Sequence, residues 1–220
     1  MKKAVRIPIN GRVLHGDLAI PDLARGIILF AHGSGSSRFS PRNRYVATQL
    51  QSAGLATLLM DLLTAEEEKI DSESAALRFD IKLLAERLIA TTWWLAEQPN
   101  MASFRIGYFG ASTGAAAALI AAATVPDLAA AVVSRGGRPD LAEGQLRKVV
   151  APTLFIVGGK DWTVLRLNRI ALAELRGEKR LEIVPGATHL FEEPGALESV
   201  ADLAKKWFLR YVTVDGRQAA

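Results

Sequence analysis

The chain contains no cysteine. Disulfide staples, thiolate metal centres and cysteine nucleophiles are therefore excluded, and a reducing compartment fits. Histidine is scarce: His15, His32 and His189 are the full set. Any imidazole chemistry has to come from one of them. No long hydrophobic run is present. The nearest approach, Ala115 to Val133, is broken by Pro126 and Asp127, whereas a membrane span takes about 20 apolar residues with few charges. It reads as a buried helix followed by a buried strand. The opening MKKAVRIPIN has two lysines with no apolar segment behind them, so it does not read as a signal peptide. The expectation is a soluble, cytoplasmic protein with no membrane partner.

Charge of one sign is not in strong excess. Net charge is +4, and the basic residues are scattered apart from Arg38-Arg42-Arg44 and Arg135-Arg138. Zinc-finger spacing and aromatic-basic motifs are missing, which argues for a solvated surface and against nucleic acid. Internal repeats and long Pro/Gly/Ser linkers are also missing. With 220 residues, half of them apolar, the chain reads as one domain over 1–220 with a substantial core. The tail after Val212, TVDGRQAA, reads as frayed.

Apolar, β-branched runs alternate with helical patterns. Strands are expected at Lys3–Ile9, Arg12–Ile20, Gly26–Ala31, Leu55–Met60, Phe104–Phe109, Ala129–Ser134, Pro152–Val157 and Arg180–Val184. Helices are expected at Pro41–Ala53, Ser74–Glu97, Thr113–Thr124, Val164–Leu175 and Leu197–Val212. Asn10-Gly11 signals a hairpin between the first two strands. The later strands are almost continuously apolar, as strands buried on both faces of a parallel sheet are. The alternation points to a doubly wound α/β fold. Residues 62–74, LLTAEEEKIDSES, read as a polar connection, a solvated loop or a helix start. Trp93 and Trp94 on the long helix read as core or packing.

Ligands of such sheets bind at the carboxyl ends of the strands, so chemistry-bearing residues should follow strands. Ser112 does, in IGYFGASTG, at the opening of an alanine-rich helix. Gly110 and Gly114 leave room for a tight strand-to-helix turn that thrusts the hydroxyl outward, and the N–H of Thr113 is free to bond an oxyanion. The plain alternative is a serine N-cap. A serine nucleophile needs a base. His189, in VPGATHLFEEPG, lies in the loop after the last strand. His15 sits inside an early strand, and His32, in LFAHGSGSS, reads as a brace for its loop. The base in turn needs an acid. Asp161 follows the strand LFIVG directly, with Asp140 in SRGGRPD as the second candidate. The second oxyanion donor is expected in AHGSGSS, from Ser34, with Gly35 possible.

These residues resemble the α/β-hydrolase superfamily, whose members carry Ser, Asp and His in this chain order. Within it, the chain is similar to the small, lidless dienelactone-hydrolase-like proteins. The likeness runs from GIILFAHGSG through GASTG and GGKD to GATHLF. It implies a mostly parallel sheet of about eight strands, flanked by helices on both faces, with no large cap. It also implies a Ser112–His189–Asp161 triad, an oxyanion hole at Ser34 and Thr113, and no metal or organic cofactor. Dienelactone hydrolases proper use a cysteine nucleophile, and this chain has Ser112. The lactone substrate is therefore not carried over, and hydrolysis of small or short-chain esters is the expectation.

Arg135, at the end of a strand near Ser112, and Arg38, past the oxyanion loop, read either as surface pairing or as readers of a substrate carboxylate or phosphate. Trp162 and Phe191 flank Asp161 and His189 as walls of the pocket or as core. A thioesterase, acyltransferase or peptidase would use the same triad, and a non-catalytic binding protein on the same fold is the alternative of another class. Monomer and homodimer are both compatible with the sequence.

Overall fold

A computed structural model of the chain describes residues 1–142 and 144–213. The first two strands, β1 (Lys2–Ile9) and β2 (Arg12–Ala19), form the expected antiparallel hairpin. Asn10 and Gly11 turn it with φ of 46° and 75°, as a two-residue turn with both central residues left-handed requires. Pro8 is exposed in β1, which lies at the sheet edge. An edge is where a strand tolerates a residue that lacks an N–H.

Strands β3 (Ile27–Ala31), β4 (Ala56–Met60), β5 (Ile106–Ala111), β6 (Ala129–Arg135) and β7 (Thr153–Gly158) are buried at every residue. Strand β8 (Lys179–Val184) forms the other edge and is mostly exposed. The order is β1-β2-β4-β3-β5-β6-β7-β8. Pairing is antiparallel between β1, β2 and β4, and parallel from β4 onward. The sheet is thus the eight-stranded, mostly parallel one expected.

Helices cover both faces. On one side, α1 (Pro41–Ser52) and the C-terminal helix (Ala196–Tyr211) bury Val46, Leu50, Val200 and Phe208. On the other lie the helices Ile81–Ala96, Thr113–Thr124 and Trp162–Glu174, with Leu84, Leu88, Leu119 and Ala171 in the core. Counting Ala65–Ser74 as α2, these are α3, α4 and α5, and the C-terminal helix is α6. Alanine is the strongest helix former, and its small side chain lets α4 sit close to the sheet. Nearly all of α4 is buried.

Two local expectations need correction, and a third is decided: of the two readings of segment 62–74, a solvated loop or a helix start, the helix start holds. Thr64 and Glu67 close a capping box, with Thr64 N–H donating to Glu67 Oε2 at 2.8 Å, and α2 follows. The single helix expected over Ser74–Glu97 is instead divided. Ala75 takes a left-handed φ of 53° that ends α2, and a short turn at Leu77–Phe79 leads to α3, capped by Asp80. Trp93 is not core: it is 51% exposed, while Trp94 packs against the interior.

Between β6 and β7 the described residues form only two short 3-10 turns, Pro139–Ala142 and Leu146–Lys148. No large cap is inserted there. Residues 214–220 of the tail lie outside the described residues. Among the described residues, no helix is long and apolar enough to cross a membrane.

Candidate active site

Strand β5 delivers Ser112 to the carboxyl edge of the sheet. Its backbone has φ 50° and ψ −120°, an uncommon conformation for a residue with a side chain. One hydrogen bond to the last residue of β6 and one from the turn beyond it hold it there. Ser112 N–H donates to the Arg135 carbonyl at 3.2 Å, and Arg138 N–H donates to the Ser112 carbonyl at 3.1 Å. A β-carbon at Gly114 would run into the carbonyls of Ala31 and His32. Only glycine lets α4 start this close to β3. Ser112 therefore makes no side-chain cap for α4, and the N-cap alternative is set aside.

His189 lies in the loop between β8 and α6. Its Nδ1 is 2.7 Å from Asp161 Oδ2. Asp161 also caps α5, its Oδ1 accepting from Val164 N–H at 3.4 Å. The histidine loop is tied to the end of β7 by two backbone bonds, Gly159 N–H to the Val184 carbonyl and Lys160 N–H to the Ala187 carbonyl, both 2.9 Å. Asp140 is elsewhere, held by the guanidinium of Arg138. Of the two candidate acids, Asp161 is the one that meets the histidine.

Ser112 and His189 line one pocket of about 210 Å³, with Gly33, Ser34, Ser36, Ser40, Arg42, Asn43, Ala111, Arg135 and Leu190. The Ser112 hydroxyl makes no hydrogen bond to a protein group among the described residues. Such contacts tighten when substrate arrives. The loop after β3 presses on the nucleophile turn: a β-carbon on Gly33 would sit 3.1 Å from Ser112 Cβ. Ser34, on the same loop, is exposed and lines the pocket. Thr113 opens α4, so its N–H has no acceptor within the helix. Neither this N–H nor that of Ser34 bonds another backbone carbonyl among the described residues.

His32 braces the loop. Its Nε2 accepts from Leu62 N–H at 3.1 Å, and its Nδ1 lies 3.0 Å from the Gly33 carbonyl as donor. Burial holds its pKa below the usual histidine value. His15 is exposed on β2.

The arginines part company. Arg135 is 8% exposed and forms no ion pair among the described residues. Its Nε and Nη1 have no partner, and its guanidinium lies 5.9 Å from the ring centre of buried Phe191. Burial, with the charge of Arg42 nearby, lowers its pKa to about 10, so it stays charged at neutral pH. Arg38 does not line the pocket: it pairs with Asp61, and with Asp17 at 3.7 Å. Arg42 stands in the pocket where the sequence pattern pointed to Arg38. The signal for it is the Ser40-Pro41 helix start, a serine cap followed by proline at the first position, which sets the first turn of α1 beside the loop. Trp162 is 74% exposed and does not line the pocket. Phe191 is buried core.

The arrangement can activate a hydroxyl with an oriented imidazole, beside free amide donors. Comparison with known proteins supports a hydrolase. The model of the Dienelactone hydrolase family matches residues 14–213. A crystal structure of a dienelactone hydrolase from Anabaena variabilis is 59% identical, with a TM-score of 0.95 over 96% of this chain and 98% of that one. Est1E from Butyrivibrio proteoclasticus shares the fold, with a TM-score of 0.79 at 17% identity over 94% of this chain and 98% of that one. Proteins of two Mycobacterium tuberculosis strains, provisionally named phosphoribosyl transferases, are 61% identical over 201 residues, 91% of this chain. The chain spans 44% of their length.

Proposed function

The chain belongs to the dienelactone hydrolase family, and from that premise we propose that it is a serine hydrolase of small or short-chain carboxylic esters. The observation that carries the reading is the 2.7 Å contact of His189 with Asp161, in the loop that brings His189 into the pocket of Ser112. The carboxylate accepts a hydrogen bond from Nδ1–H, which keeps the proton on Nδ1 and leaves Nε2 as the basic nitrogen. His189 Nε2 removes the Ser112 proton as the oxygen attacks the ester carbonyl. The N–H groups of Ser34 and Thr113 bond the developing oxyanion. His189 then gives its proton to the leaving alcohol, and the acyl group stays on Ser112. Water, deprotonated by His189, releases the acid and restores the hydroxyl.

One oxyanion donor is worth roughly 100- to 1000-fold in rate, and general acid–base help about 100- to 10,000-fold. Every step uses protein groups and water. A pocket of about 210 Å³ is below the ~300–1,000 Å³ of sites that enclose larger ligands. That supports short acyl chains.

The test is hydrolysis of nitrophenyl esters of graded chain length, with a thioester and an amide beside them, by wild type and Ser112→Ala. The expected result is fastest turnover of the two- to four-carbon esters, abolished in the variant, with organophosphate labelling confined to Ser112. Equal turnover by Ser112→Ala would overturn the assignment.

A further inference from the structure

Among the described residues, Arg135 is a charge without a counter-ion. An arginine this buried, with two unpartnered nitrogens, costs stability unless something else uses it. It lines the pocket of Ser112, and so does Arg42 from the second position of α1. Among the described residues, no aspartate or glutamate lines that pocket. Glu192 bonds Arg42 at 3.1 Å, but from an exposed position outside the lining, and Arg42 Nε is left without a partner. The first turn of α1, with Ser40 and Asn43, forms part of the same wall. A helix N-terminus carries about half a positive charge; at α1 Pro41 has no N–H and Ser40 Oγ accepts that of Asn43 at 3.3 Å, so the end offers its dipole and the Arg42 N–H.

We infer that the pocket holds a second subsite, formed by Arg135, Arg42 and the N-terminus of α1, which binds a phosphate monoester carried by the substrate. This deepens the hydrolase reading and rests on it for the identity of the reacting group. Phosphate is favoured over carboxylate by charge balance. Arg135 contributes one unmatched charge, the helix end about half of one, and Arg42 the part not offset by Glu192. A phosphate monoester carries about −1.5 to −2 at neutral pH, whereas a carboxylate carries one. Arginine from two separate elements also suits an acceptor with three oxygens. Dimensions agree: about 210 Å³ is the liquid share of roughly seven waters, enough for a phosphate and a short acyl group together.

The experiment uses the full chain and needs no identified substrate. Inorganic phosphate is added to hydrolysis of nitrophenyl acetate, with ionic strength held constant by sodium chloride and with acetate and succinate in parallel. The expectation is competitive inhibition by phosphate, with KM raised and kcat unchanged, and weaker inhibition by the carboxylates. Thermal unfolding gives the second readout, since phosphate should raise Tm in wild type and in Ser112→Ala. Arg135→Gln and, separately, Arg42→Gln should each weaken phosphate at least ~10-fold. The Arg42 variant stands in if Arg135→Gln does not fold.

Phosphate without effect beyond matched chloride overturns the subsite. Carboxylates as effective as phosphate overturn the phosphate assignment. Failure of every ester to react, with phosphate still raising Tm, removes the hydrolase reading and leaves the anion site standing.

Discussion

Asp161 holds two things at once: one carboxylate oxygen lies 2.7 Å from His189 Nδ1, and the other caps α5 through Val164 N–H. The acid is thus fixed by the helix it starts. Asp161→Asn keeps the cap and replaces the acceptor for the imidazole proton with an ambiguous amide. It should lower kcat by about 10,000-fold with little change in Tm. Asp161→Ala loses the cap as well, at about 1 kcal/mol. Steady-state kinetics and thermal unfolding on the two variants check this. Equal Tm values for the two would show that the cap contributes nothing.

Ser112 sits at φ 50° with a side chain attached. Such a backbone costs about 1–3 kcal/mol in a non-glycine residue. Ser112→Ala removes the hydroxyl and keeps the strain. Ser112→Gly removes both, against about 0.5–1 kcal/mol of extra chain entropy in the unfolded state. The glycine variant is therefore expected to be inactive and more stable than the alanine variant by about 1 kcal/mol, or roughly 2–4 °C in Tm. Glycine also outranks alanine at a helix N-cap, so both effects act in one direction, and a calorimetric comparison tests it. A glycine variant less stable than alanine would mean that the turn holds little strain.

The approach of Gly33 to Ser112 carries the next expectation. An added methyl would sit 3.1 Å from Ser112 Cβ and 3.2 Å from the Ala111 carbonyl, so the loop has to back away. Gly33→Ala should move the Ser34 N–H off the oxyanion position and lower kcat by about 100-fold. The organophosphate labelling rate should fall in parallel. Unchanged labelling in a folded Gly33→Ala protein would separate this loop from the reaction.

Most of the architecture was legible in the sequence because each signal was local. Asn10-Gly11 fixed a hairpin, uninterrupted apolar runs marked the buried strands, and Ser112 and Asp161 each followed one of them, while His189 followed the edge strand β8. What was not legible depended on partners far away in the chain. Arg12 and Arg87, from β2 and α3, draw Glu67 inward and anchor the acidic run as a helix on the surface. Arg38 and Arg42 are four residues apart and similar in sequence setting. Only the positions of Asp61 and Asp17 decide that the first is neutralised and the second faces the pocket. The outward face of Trp93 was equally hidden, because α3 is apolar over more than the stripe it buries.

His32 gives a pH dependence whose sign follows from its burial. It is neutral when folded, and its pKa lies below the usual 6.5. Above that value neither state takes the proton. As pH falls below it, the unfolded chain binds a proton that the folded protein refuses, so stability drops until the folded pKa is reached. The largest slope is about 1.4 kcal/mol per pH unit. Urea unfolding at pH 7.5 and 5.5 should show the drop, and His32→Gln should flatten it. The same slope in that variant would assign the effect to other groups.

Glu67 stands apart from its neighbours in the acidic run. It is buried and bonds Arg12 at 2.9 Å, Arg87 at 2.8 Å and the Thr64 N–H at 2.8 Å. Glu66 and Glu68 are exposed. Removing one partner of a buried pair leaves the other charge uncompensated, at about 3–5 kcal/mol. Glu67→Ala should cost that much in urea unfolding, while Glu66→Ala and Glu68→Ala stay within about 0.5 kcal/mol. The loss comes chiefly from the stranded guanidinium of Arg87, whose side chain is only 7% exposed. Replacing both residues, as Glu67→Ala with Arg87→Met, should therefore be less damaging than Glu67→Ala alone. If the double variant is as unstable as the sum of its singles, the pair is not coupled, and the helix cap at Thr64 accounts for the loss.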